Sequence, residues 1–128
     1  MFNDFSVKTN EGSYDIEARV MRIGGDVLVA VYGGEKPHIG AVAVAQPRAS
    51  LRDASRISST ASVFCRVGHK EDDLAKATAE VLSAALNTPV VVTAGIHWDD
   101  LDETGIQTVI QNSRLLVEMI LDTLAKED

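Results

Sequence analysis

Apolar side chains in this chain recur mostly with a period of two, in short runs punctuated by glycine, which commits much of it to a β-sheet. FSVKT from Phe5 and YDIEARV from Tyr14 alternate, with Tyr14, Ile16, Ala18 and Val20 on a core side and Asp15, Glu17 and Arg19 toward water. NEGS separates these two runs, and Gly24-Gly25-Asp26 marks the next turn. DVLVAVY is apolar almost throughout, as expected of a strand covered on both faces. After GGEKP comes HIGAVAVAQP, with Ala41, Ala43 and Ala45 on one face and Gly40, Val42 and Val44 on the other. Side chains this small let a helix or a second subunit approach closely. TASVFCRVG and PVVVTAGIH complete six strands, and the first four read as an antiparallel meander. RASLRDASRISST carries Arg48, Arg52 and Arg56 at four-residue spacing and reads as a short helix.

Two longer segments have an apolar stripe of helical period. HKEDDLAKATAEVLSAALN places Leu74, Ala77, Val81 and Ala85 on one stripe flanked by Thr78 and Leu82. Glu71, Asp72 and Asp73 suit its first turn, where the backbone dipole favours negative charge, and Asn87 and Pro89 suit its end. A final helix is capped by Asp102, with Leu101 and Ile106 at staple spacing. Its expected buried stripe is Ile106, Val109, Ile110, Leu116, Val117, Ile120 and Leu124. The reading is one α+β domain over residues 1–128, with a roughly six-stranded, mostly antiparallel sheet and two main helices.

Composition narrows the function classes. At 128 residues and 45% hydrophobic, the chain can bury a core without disulfides or metal. Twelve basic against 19 acidic residues leave a net charge of −7, which argues against nucleic acid as a partner. The single cysteine, Cys65, forms no internal disulfide and reads as a small core residue. MFNDFSVKTNEG has neither the basic nor the apolar region of a signal peptide, and no apolar run reaches the roughly 20 residues of a membrane span. The expectation is a cytoplasmic protein with no membrane partner.

All three histidines fall at strand ends beside glycine or a turn: His38 opening strand four, His69 after strand five, His97 closing strand six. Following strand directions, with a helix returning the chain between strands five and six, brings all three to one end of the sheet. Gly33, Gly34, Lys36, Gly68, Lys70 and Gly95 join them, as do the N-termini of both long helices, whose free N–H groups attract anions. This set admits a transition metal on His38, His69 and His97, although no HExxH-like spacing is present. It equally admits a phosphorylated ligand held by imidazoles, Lys36, Lys70 and glycine amides, with Arg48, Arg52, Arg56, Ser58, Ser59 and Thr60 able to join. It also admits plain polar capping. Asp99 and Asp100 are placed to orient His97. No nucleophile elbow, dinucleotide fingerprint or P-loop is present.

GGEKPHIGAV, ASVFCRVGHKEDDLA and AGIHWDDL, followed by a long amphipathic helix containing Asn112, together resemble the small family of prenylated-flavin chaperones typified by an accessory subunit of gallate decarboxylase. The resemblance runs from about Asp26 to the last helix. It implies a fold similar to the proteasome-assembly chaperones. It also implies a non-catalytic accessory protein that binds prenylated FMN and protects it or delivers it to a prenylated-flavin-dependent decarboxylase. On that reading Gly33, Gly34, Lys36, His38, His69, Lys70, His97 and Trp98 are the candidate cofactor-binding residues; Trp98, Tyr32 and Phe64 are the aromatic candidates to stack on the ring, with Trp98, next to His97, the first choice. Two alternatives stay open: a small metal-dependent enzyme using the three histidines, and an assembly chaperone that binds only protein. A homodimer fits all three.

Overall fold

The computed structural model describes residues 4–68 and 71–127. Six strands and two helices follow in the order β1 (Asp4–Lys8), β2 (Ile16–Ile23), β3 (Asp26–Gly34), β4 (Ala41–Ala49), β5 (Ile57–Cys65), α1 (Asp72–Leu86), β6 (Val90–His97) and α2 (Glu103–Glu127). They form one sheet ordered β1-β2-β3-β6-β4-β5, in which β3 and β6 are parallel and every other pair is antiparallel.

The strand directions are those expected, but the meander is interrupted. β6 inserts between β3 and β4, so GGEKPHIG is no hairpin turn. It is a strap that leaves β3, passes over the C-terminal end of β6 and enters β4 on the far side. A parallel pair needs a long crossover, and β6, arriving last from α1, takes the central slot where its apolar VVVTAGI is best covered.

One face of the sheet is the core. Ala18, Val31, Ala94, Ala41 and Cys65 share a height across five strands, and the rows below continue with Val20, Val29, Val92 and Ala43. Ala41, Ala43 and Ala45 are fully buried beneath α1, which meets them with Ala75 and Ala79, also fully buried. Short side chains on both partners let helix and sheet approach closely. α2 packs on β1 and β2 through Leu116, Ile120 and Leu124.

Both helical stripes sit differently from the sequence expectation. In α1 the buried side is Ala75, Thr78, Ala79, Leu82 and Ser83, while Val81 is half exposed and Ala77 and Ala85 face solvent. A sheet of alanines selects the helix's own small side. In α2 the C-terminal half keeps its expected stripe, but Ile106 and Ile110 are exposed and the N-terminal half packs through Gly105, Asn112 and Ser113. Asp102 caps α2 as expected, its carboxylate accepting from Gly105 N–H at 2.7 Å. Asn87 ends α1 in the left-handed conformation. The expected short helix at Arg48–Arg56 is absent; Arg48 lies within β4 and the rest forms the β4–β5 connection. Its arginines follow a four-residue spacing, but its one large apolar residue between them, Leu51, is 90% exposed and gives a helix no buried side. Cys65 is partly buried against the core.

Candidate functional site

The strap is held by backbone. Glu35 and Lys36 N–H groups both donate to His97 O, at 2.7 and 3.4 Å, His38 N–H to Gly95 O at 3.5 Å, and Gly40 N–H to Ala94 O at 2.9 Å. This close crossing explains its glycines. Gly34 has φ +88, and a Cβ there would land on the His97 carbonyl; a Cβ on Gly95 would land on the His38 carbonyl. Glycine is required wherever two backbones cross with no room between them.

His38 turns from the strap toward α1. Its Nδ1 lies 2.9 Å from Lys36 O, and its Nε2 2.7 Å from Glu71 Oε1; the two side chains are only 21% and 12% exposed. Nδ1 therefore donates to a carbonyl, and Nε2 faces the carboxylate. Glu71 reaches this position because Gly40 has no side chain to block it. The pair ties strap to helix. Glu71, expected as one of three carboxylates in the first helical turn, is used instead as a strut.

His97 points elsewhere. Its Nε2 lies 2.9 Å from Asp99 Oδ1, and Lys36 Nζ lies 3.6 Å from the same oxygen. The His97 hydrogen bond, and then the Lys36 charge, hold the Asp99 carboxyl below its ordinary value. Asp99 thus orients His97 as expected. His38 and His97 share the strap end of the sheet but are held by different carboxylates. His69 and Lys70 lie outside the described residues. Among the described residues no three metal-binding side chains converge. Arg48, Arg52, Arg56 and Ser58–Thr60 lie at the opposite end, because β4 starts at the strap and runs away from it.

Beside the strap is a cleft of about 360 Å³, within the range of roughly 300–1,000 Å³ usual for ligand sites. Gly33, Gly34, Pro37, Tyr32 and Trp98 form its apolar walls; Lys8, Asp15, Glu17 and Glu35 form its polar ones. Trp98 is fixed by an edge-on contact with Tyr14, ring centres 5.1 Å apart. Tyr14 is fixed in turn from α2, where the Asn112 amide donates to Ser13 O at 3.0 Å and Tyr14 O at 2.7 Å. Asp15 organises the β1–β2 loop: it accepts from Glu11 N–H, Gly12 N–H and the Thr9 hydroxyl at 2.9, 3.1 and 2.8 Å. The Glu11 N–H, then Thr9, hold its carboxyl below the ordinary value. Burial, then Glu17, push the Tyr32 phenol up.

Of the expected residues, Gly33, Gly34 and Trp98 line this cleft, Lys36 stands in the strap between two lining residues, and His38 and His97 are engaged beside it. Tyr32, a second candidate for ring stacking, also lines it, whereas Phe64 does not; Glu17 and Glu35 were not expected there. Glu17 and Tyr32 are directly opposed across β2 and β3, a signal legible only once that register is known.

The fold defines the class first. Over 98% of both chains it is similar to a crystal structure of a chaperone complex for yeast 20S proteasome assembly, with a TM-score of 0.56 and 18% identity. The protein thus has an α+β fold similar to that of a proteasome-assembly chaperone. Residues 10–125 match the model of the prenylated flavin chaperone LpdD-like domain, and the chain belongs to that family. It is 29% identical to protein LpdD of Lactiplantibacillus plantarum over 100 residues, which cover 77% of this chain and 68% of the relative.

Proposed function

We propose that this chain is a non-catalytic accessory protein that binds prenylated FMN and protects it or delivers it to a partner decarboxylase. The observation that carries the reading is the family match across residues 10–125, which includes the strap, Trp98 and every lining residue of the cleft except Lys8. The cleft suits the ring system of a flavin: one aromatic wall held rigid by Tyr14, a proline, and two glycines that allow close backbone approach. It does not suit a buried phosphate, because Asp15, Glu17 and Glu35 outnumber Lys8 there. The phosphate therefore belongs at the solvent rim, where Lys36 is 69% exposed. Bound flavin supplies the decarboxylase's chemistry; this chain's residues bind it and shield it from water. A metal-enzyme reading requires His38 and His97 to converge, and each is held by its own carboxylate.

The test is anaerobic co-expression with a flavin prenyltransferase, followed by absorbance and intact non-denaturing mass. The expected result is one flavin-sized increment per chain, lost in Trp98→Ala, weakened in Lys36→Ala and retained in His38→Gln. No increment in the wild type, or an increment indifferent to Trp98, overturns the reading.

A further inference from the structure

The two edges of the sheet are unlike. β1 is five residues long, begins and ends in a charge, Asp4 and Lys8, and lies against α2. β5 is nine residues long, and its sequence ISSTASVFC holds neither a charge nor a proline. Among the described residues no strand pairs with its outer side. Edge strands that stay unpaired are shortened, charged, or interrupted by proline or a bulge, because their outward N–H and C=O groups template another strand. β4 and β5 pair without a break from Ala41↔Cys65 to Ala49↔Ile57, so no bulge turns this edge away.

The ladder fixes which backbone groups face outward. Ser50 N–H donates to Arg56 O at 2.9 Å, and Arg66 N–H to Gly40 O at 2.8 Å. The even-numbered residues of this stretch therefore turn their backbone to β4, while Ala61 and Val63 turn theirs away. Side chains alternate by face. Ala61 and Val63 lie on the α1 side, the side on which the Ser59 hydroxyl donates to Glu80 O at 2.7 Å. Phe64 and Arg66 lie on the other side, as do Arg56 and Arg48, whose Nε donates to the Thr60 hydroxyl. Ser59 is buried, so that part of the edge is shut; the part toward the strap is open, with Val63 exposed, Phe64 69% exposed and Val67 fully so.

We propose that this edge takes an extended segment of a partner protein as a seventh strand, paired along residues 61–67, in which apolar residues alternate with acidic ones. The alternation follows from the two sides of β5. On the α1 side an added strand extends the row that Ala43 and Val63 share, which asks for apolar side chains. On the other side Arg48, Arg56 and Arg66 ask for carboxylates. Residues 41–68 hold four of the chain's 12 basic residues, Arg48, Arg52, Arg56 and Arg66, and one of its 19 acidic ones, Asp53. On a chain of net charge −7 this is a local reversal of sign, and charge complementarity selects an acidic occupant. The carboxylates in the first turn of α1, Asp72 and Asp73, belong to the helix side, where the segment is apolar. Two β5 edges paired about a two-fold axis would set arginine against arginine, which is why the occupant is a different protein. The inference does not depend on the flavin reading.

A short end-capped peptide of alternating valine and glutamate, titrated into the isotope-labelled full chain, tests it. The expected result is that the Ala61 and Val63 amides become protected from hydrogen exchange as the peptide binds. The same peptide N-methylated throughout keeps its side chains and charges but cannot donate to the ladder, and is expected to bind at least about tenfold more weakly. A valine–lysine peptide is expected to bind as weakly. Val63→Pro removes one outward N–H and leaves the β4 ladder intact, so it should abolish the protection with unchanged circular dichroism. Arg56→Glu, at an exposed position beyond the strand, should weaken binding about threefold or more without touching the ladder. No protection of Ala61 and Val63 by the valine–glutamate peptide overturns the proposal. So does binding indifferent to N-methylation and to Val63→Pro, which would mark charge attraction alone. Protection that grows with protein concentration in the absence of peptide would give the edge to a second copy, and overturns it too.

Discussion

Asp15 shows how one side chain prepares the cleft. It closes the β1–β2 loop with three hydrogen bonds and thereby positions Tyr14, against which Trp98 rests. Its carboxyl is held below the ordinary 3.8, chiefly by the Glu11 N–H. The folded form thus binds its proton more weakly than the unfolded form. The stabilisation is complete above the unfolded value and is lost as pH falls through the lower, folded one. Urea midpoints should therefore decline as pH falls below about 4, and Asp15→Asn should remove this part of the decline while lowering the midpoint at neutral pH. An Asp15→Asn protein with the wild-type pH profile would show that the loop does not depend on this carboxylate.

At the scale of elements, the strap is where the fold and the site coincide. Alternation and apolar runs made all six strands and their directions legible, and cap residues such as Asp102 and Asn87 marked helix ends. The insertion of β6 was not legible. GGEKPHIG has a hairpin's composition, and alternation along a strand records which face is buried but not which strand lies alongside. The helix stripes erred for a related reason: Ala75 and Ala79 carry little hydrophobic signal, yet a sheet of alanines makes them the packing side. The histidines His38 and His97 were correctly brought to one end, but their separate carboxylates depend on rotamers and on the space at Gly40, which no spacing rule encodes. Gly95 was legible only as part of a glycine-bearing edge; its function is to let the strap cross. Gly95→Ala would push a methyl group into the His38 carbonyl. We expect it to cost about 1–3 kcal/mol in denaturant unfolding, whereas Gly25→Ala, with nothing nearby, should stay within about 0.5 kcal/mol. Equal effects at the two positions would mean that the strap yields without cost.

For the whole molecule, the cleft is assembled from segments far apart in the chain: the β1–β2 loop, the strap and the residue after β6. α2 does not line the cleft, yet it holds one side of it in place. Asn112 donates to Ser13 O and Tyr14 O, and the Tyr14 ring rests edge-on against Trp98. Asn112→Ala leaves two carbonyls without their donor and should cost about 1–3 kcal/mol in denaturant unfolding. If the proposed flavin site uses Trp98, the same change should also weaken flavin binding about tenfold, near 1.4 kcal/mol, although Asn112 itself does not line the cleft. Fluorescence titration of flavin into Asn112→Ala, with a urea midpoint measured on the same sample, separates the two effects. A loss of stability with unchanged affinity would mean that Trp98 holds its place without Tyr14. A loss of both would mean that α2 sets the aromatic wall of the cleft.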